Sequence, residues 1–202
     1  MTSSWRRTGV SGENYDARFA ALERAGHNMH GEADFVQSLG VRSVLDAGCG
    51  TGRVAIELAR RGLIAAGIDR DADMMRAARQ KAPELDWYEQ DISSYTIPDP
   101  ADAGQPRGFD AIVMAGNVMI FLDSGTEEQT VGNLARHLGP EGRLIAGFQL
   151  QPGGLDVARY DAYAAKAGLT LVERWATWDR AAWHEGSDYA VSVHQRDVSA
   201  IV

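Results

Sequence analysis

Residues 44–53 read Val-Leu-Asp-Ala-Gly-Cys-Gly-Thr-Gly-Arg, an apolar run that breaks into three alternating glycines. Glycine adopts positive φ without steric cost and lets another molecule approach the backbone where a Cβ would stand. The run before the loop (Ser43 to Ala47, with Val44 and Leu45) reads as a strand. The run after it (Val54 to Arg61, with Ile56, Leu58 and Ala59) has helical spacing. In open α/β folds, a strand–glycine–helix turn lies at the C-terminal edge of a parallel sheet, where ligands bind. A ligand-free tight turn needs fewer glycines than Gly48, Gly50 and Gly52 together.

The rest of the chain repeats this alternation. Helical periodicity is expected from about Asn14 to Ala25 and from Gly31 to Leu39, ahead of the first strand. Ile64 to Ile68 is a short apolar strand ending at Asp69, and a helix is expected over Asp71 to Lys81. Further strands are expected at Leu85 to Glu89, Phe109 to Ala115 and Arg143 to Phe148. Helices around Glu127 to His137 and Asp156 to Ala167 complete the pattern. Strands alternating with helices predict a parallel sheet covered on both faces. The end departs from that rule. Leu169 to Trp178 and Asp188 to Arg196 are strand-like, joined by a polar loop too short for a crossover helix, so they must pair antiparallel.

Length and composition narrow the function. The 202 residues suit a single domain, with a helical segment over 1–40 expected to cover the ligand end of an α/β body over 41–202. The net charge of −8 argues against a broad polyanion-binding surface, and the Arg6–Arg7 and Arg60–Arg61 pairs read as solvated faces. One cysteine, Cys49, rules out an internal disulfide and a cysteine-based zinc site, and no metal is expected. No apolar run approaches the ~20 residues of a membrane span, and no targeting signal follows Arg6–Arg7, so a cytoplasmic setting is expected.

A dinucleotide loop would read G-x-G-x-x-G, and from Gly48 the last glycine falls on Arg53. A nicotinamide-dependent oxidoreductase is therefore disfavoured. The string Asp46-x-Gly48-x-Gly50-x-Gly52 instead resembles the D-x-G-x-G-x-G motif of class I S-adenosylmethionine-dependent methyltransferases. The resemblance extends from about Val41 to Gln195. It implies a doubly wound seven-stranded sheet of order 3-2-1-4-5-7-6 with strand 7 antiparallel, and S-adenosylmethionine as cofactor. It also implies a site. Asp46, Gly48, Cys49, Gly50 and Gly52 would form the loop, and Asp69 with the adjoining Arg70 would meet the ribose hydroxyls. Asp91 and the backbone of Ile92 would meet the adenine edge, and Asn117 would follow the strand beneath the methionine part.

The acceptor is less legible. The fourth strand leads into Ala115-Gly116-Asn117-Val118 and lacks the Asn/Asp-Pro-Pro-Tyr motif of amino methyltransferases acting on adenine or glutamine. Cytosine C5 chemistry needs a nucleophilic thiol, and Cys49 lies inside the glycine loop. A small organic acceptor is the expectation, with no nucleic acid or membrane partner. Tyr15, Phe19, His30, Met119, Trp183 and His184 are the candidates to contact it, with Trp5, His27 and Met29 also near the N-terminal helices. No residue stands out as a catalytic base. The rival class is a homologue that binds the cofactor or a partner without transferring a methyl group.

Overall fold

The computed structural model describes residues 12–197, so Trp5 and the Arg6–Arg7 pair lie outside the described residues. In chain order the elements are α1 (Gly12–Arg24), α2 (Gly31–Ser38), β1 (Ser43–Ala47), α3 (Arg53–Arg60), β2 (Ile64–Asp69), α4 (Ala72–Lys81) and β3 (Asp86–Glu89). They continue with β4 (Phe109–Met114), α5 (Val118–Phe121), α6 (Glu127–Arg136), β5 (Leu138–Gln149), α7 (Val157–Lys166), β6 (Leu169–Trp175) and β7 (Tyr189–Arg196). The strands form one sheet of order β3-β2-β1-β4-β5-β7-β6. β1 pairs in parallel with β2 and β4, β2 with β3, and β4 with β5. Only β7 runs against its neighbours β5 and β6.

The alternation of side chains along each strand splits the core into two layers. Leu45, Ile112 and Leu144 face one layer, with Leu134 of α6 and Tyr160 of α7. Val44, Val113 and Ile145 face the other, with Phe35 and Val36 of α2 and Leu58 of α3. Each such fully buried Leu, Ile or Phe contributes about 1.5–3 kcal/mol over an exposed one. Helix starts follow from local chemistry. Asp71 accepts the N–H groups of Asp73 and Met74 at 3.0 and 3.2 Å to cap α4, and Asp156 accepts that of Arg159 at 2.8 Å to cap α7.

Three elements differ from the sequence expectation. β5 begins at Leu138 rather than Arg143, because Leu138 already pairs with Phe109 before the Gly139–Gly142 excursion shifts the register to Ala111–Arg143. Gly and Pro there mask a strand that resumes its ladder. The short helix α5 follows β4 directly, started by Asn117 at φ 69°, a conformation asparagine tolerates. β6 ends at Trp175, and the three residues expected to extend it turn into the hairpin loop. Among the described residues no helix is long and apolar enough to cross a membrane.

Candidate active site

The glycine loop is fixed from both sides. The N–H groups of Gly48 and Cys49 both donate to the Ile68 carbonyl, at 2.8 and 3.1 Å, holding the loop against the end of β2. Gly52 starts α3 at φ 83° and has no side chain to cap it. Asp46 does so from β1, its Oδ2 accepting the Ala55 N–H at 3.1 Å. A Cβ on Gly52 would also fall 2.5 Å from the Trp87 ring, which lies over the loop from β3. Glycine is required there for both φ and space.

One cleft opens along the C-terminal ends of four consecutive strands. Its wall takes Gly48 and Gly50 after β1, Asp69 and Arg70 at β2, Asp91 and Ile92 after β3, and Ala115 and Gly116 after β4. Met74, Val118, Phe121 and Leu122 supply apolar surface, Asp123 and Thr126 line the rim, and Tyr15 reaches in from α1. Asp69 is held by backbone donors on both of its oxygens. Its Oδ2 accepts the Gly50 N–H and its Oδ1 the Asp71 N–H, both at 2.9 Å. Burial pushes its carboxyl up, against the pull of those two N–H groups. Each oxygen keeps a second lone pair for a further donor.

Asp91 is held differently. Burial pushes it up, but the Ser93 hydroxyl and N–H and the Arg70 guanidinium outweigh that and hold it below the usual carboxylate range. Its Oδ1 accepts both Ser93 donors, at 2.7 and 2.8 Å, and its Oδ2 accepts Arg70 Nη1 at 2.8 Å. Arg70 Nη1 also reaches Asp123 Oδ2 at 3.0 Å.

This donor and acceptor set fits a nucleoside cofactor. Asp69 retains acceptor capacity suited to a diol, and a Cβ on Gly50 would meet nothing within 4 Å, so the loop exposes bare backbone. Comparisons with known proteins agree. Residues 44–142 match the family model described as "Methyltransferase domain". A TehB-like SAM-dependent methyltransferase of known structure from Corynebacterium glutamicum is 34% identical, with a TM-score of 0.82 over 92% of this chain and 98% of that one. This chain belongs to the class I S-adenosylmethionine-dependent methyltransferases. An uncharacterised methyltransferase of Mycobacterium tuberculosis is 34% identical over 112 residues, 53% of each chain. A trans-aconitate 2-methyltransferase of Azoarcus sp. is 33% identical over 105 residues, 50% of this chain and 37% of that one. The chain thus spans about half or less of the length of these curated relatives. The family uses S-adenosylmethionine, and the sheet order expected from the motif is the order found.

Within this methyltransferase the sequence-nominated residues fall into groups. Gly48, Gly50, Asp69, Arg70, Asp91, Ile92 and Tyr15 line the cleft together. Asp46, Cys49 and Gly52 stand behind the wall. Asp46 is 2% exposed, and burial raises its carboxyl to about 7 against the Ala55 N–H and Arg53. The Cys49 thiol is buried 3.8 Å from Met75 Sδ, and that burial pushes its pKa up. Asn117 turns its Oδ1 to the Gln149 N–H at 2.8 Å, tying the end of β4 to the end of β5. Met119 is 2% exposed in the core.

Of the candidate acceptor contacts, Tyr15 lines the cleft, whereas Phe19, His30, Met119, Trp183 and His184 do not. Phe19 and His30 line a second hollow between α1 and α3 with Met29 and Ile56, and His30 Nδ1 lies 3.8 Å from Glu57. His27 is exposed. Trp183 packs under the Arg174 guanidinium, 5.5 Å from its ring centre, and His184 is exposed. The hairpin loop meets the N-terminal helices through a different residue. Trp178 packs edge-on against Phe35 of α2 with ring centres 5.6 Å apart, and its Nε1 donates to the Tyr189 hydroxyl at 3.2 Å. Arg180 lies over the same Phe35 ring and donates to Ser38 Oγ at 2.8 Å. Sequence reading placed Trp178 inside a strand, where its apolar character was already accounted for. It also missed Val118, Phe121 and Asp123, although the apolar run continuing past Met114 was the available signal.

Proposed function

We infer that this methyltransferase transfers a methyl group to a small-molecule acceptor admitted beside Tyr15. The observation that carries the reading is the cleft itself, with Gly48, Gly50, Asp69, Asp91 and Gly116 drawn from four successive strand ends and Tyr15 closing it from α1. Bound S-adenosylmethionine supplies an activated methyl group, so the protein's task is to bring donor and acceptor to ~3–3.5 Å and exclude water. Asp69 would accept from the ribose hydroxyls, and Asp91 and the Ile92 backbone would meet the adenine edge. Gly48 and Gly50 would give the cofactor close access to backbone.

On the acceptor side, Tyr15 is a positioned group. Burial raises its phenol, while a hydrogen bond from Arg53 pulls it down. A phenol of this kind orients an acceptor by donating or accepting one hydrogen bond and is a weak proton acceptor near neutral pH. The helical segment through residue 40 would thus be a cover for the body over 41–202. The Azoarcus relative's name, a trans-aconitate methyltransferase, is that of an enzyme for a small acid and is in keeping with an acceptor of small size.

The test is calorimetric titration with S-adenosylmethionine and S-adenosylhomocysteine, followed by turnover on a panel of phenols, amines, carboxylates and sugars. Binding with turnover on one class, reduced in Tyr15→Ala, is the expected result. Cofactor binding without turnover on any class would favour a binding-only homologue. Binding of a nicotinamide dinucleotide instead would overturn the reading.

A further inference from the structure

One guanidinium joins two parts of the cleft lining that are far apart in the sequence. Arg70 follows the end of β2, and Asp123 lies 53 residues later on the link between α5 and α6. Arg70 Nη1 donates to Asp123 Oδ2 at 3.0 Å and Nη2 approaches Oδ1 at 3.4 Å, a two-pronged contact across the rim. The same Nη1 donates to Asp91 Oδ2 at 2.8 Å. Since Ser93 takes Asp91 Oδ1 twice, Oδ2 is the Asp91 oxygen turned toward the cleft's cation.

The consequence is a division of labour. A purine amino group seeking Asp91 must share or displace Arg70 at Oδ2, whereas the Arg70–Asp123 contact lies outside that competition. The guanidinium has five N–H groups, enough to release one carboxylate and keep the other. Phe121 and Leu122, which immediately precede Asp123, form part of the apolar wall. Holding Asp123 therefore also holds those side chains against whatever occupies the nucleoside end. All three charged side chains are about one-third exposed, so the contact is within reach of solvent ions.

We propose that Asp123 is a cofactor-retaining residue: paired with Arg70, it straps the α5–α6 link over the nucleoside end and sets the rate at which S-adenosylhomocysteine leaves. This rests on reading the cleft as the S-adenosylmethionine site. Asp123 touches the rim and acts through Arg70, so it is a positioning residue and takes no part in the transfer. Its carboxyl is held below the usual range chiefly by the Arg70 hydrogen bond.

The experiment compares wild type with Asp123→Asn, Asp123→Glu, Arg70→Gln and the Arg70→Gln/Asp123→Asn pair. S-adenosylhomocysteine affinity is measured by calorimetry, and its release by rapid chase of labelled ligand at low and high salt. Thermal melts establish that each variant is folded. The strap requires release about fivefold faster from Asp123→Asn, within the range of a partly exposed ion pair, and largely restored in Asp123→Glu. Salt should speed release from wild type and leave the Asn variant nearly unchanged. The paired variant should release no faster than Arg70→Gln alone. An unchanged release rate in folded Asp123→Asn, or fully additive effects in the pair, overturns the strap while leaving the cleft reading intact. Absence of S-adenosylhomocysteine binding by wild type overturns both.

Discussion

Arg53, the first residue of α3, pairs with both carboxylate oxygens of Glu32 on α2, at 2.6 and 3.0 Å. The same guanidinium donates to the Met29 carbonyl and to the Tyr15 hydroxyl, and lies 4.6 Å from the centre of the Phe19 ring. Immediately after the glycine loop, one side chain thus fastens both N-terminal helices to the body of the fold. The residue that breaks the dinucleotide pattern is the one that positions Tyr15 in the cleft.

Glu32→Gln should test that arrangement. Both side chains are about one-sixth exposed, so removing the carboxylate leaves a poorly solvated cation. A loss of about 1.5–3 kcal/mol is expected in denaturant unfolding. S-adenosylmethionine affinity should stay within about threefold, because Asp69 and Asp91 are untouched. A variant as stable as wild type would mean the fork carries no net stabilisation.

Asp69→Ala removes an acceptor that already serves the backbone of Gly50 and Asp71. Cofactor affinity should fall by ~1.5–3 kcal/mol, roughly tenfold to a hundredfold in dissociation constant. Unaltered calorimetric affinity in a folded variant would take Asp69 out of the cofactor site.

The glycines of the loop should separate by phenotype. In Gly52→Ala the new methyl group meets the Trp87 ring at 2.5 Å and a φ of 83°, so global stability should drop by about 2–4 kcal/mol. Gly50→Ala has open space and a φ of 54°, so stability should fall by only about 1–2 kcal/mol while cofactor binding suffers. Equal melting temperatures for the two variants would contradict this division.

Asp46 predicts a pH signature. Its carboxyl, raised to about 7 by burial, holds its proton in the folded protein above the pH at which an unfolded chain, near 3.9, gives it up. Its contribution to stability is therefore fully present below about pH 4 and is lost as pH rises through about 7. His137 and His194 act in the opposite sense. Burial lowers both, so they favour the folded state above about pH 6.5 and cost stability as the solution is acidified below it. Asp46→Asn keeps an acceptor for Ala55 and removes only the carboxyl. The difference between variant and wild-type unfolding curves should change between pH 4 and 7, and a pH-independent difference would assign Asp46 an ordinary titration.

Much of this molecule was legible from one dimension. β1 and the glycine loop were readable because apolar runs and glycines impose their conformations locally, through burial and through φ. Asp69 could be placed at a strand end because the apolar run Ile64–Ile68 stops there, and the 3-2-1-4-5-7-6 sheet order came with the family resemblance. Other features depend on contacts between residues far apart in the chain. Asp46 became a cap for α3 because Gly52 has no side chain, a need that appears only when β1 and α3 are set side by side. Trp178, and not Trp183, meets α2 because β6 ends at Trp175 and the loop then folds back over Gly147, whose missing Cβ leaves room for the indole. Asp123 joins the cleft across 53 residues through Arg70. Periodicity reports which face of an element is buried; which neighbour fills that face, and which charge finds which, is decided by packing and long-range electrostatics, and those exist only in the folded chain.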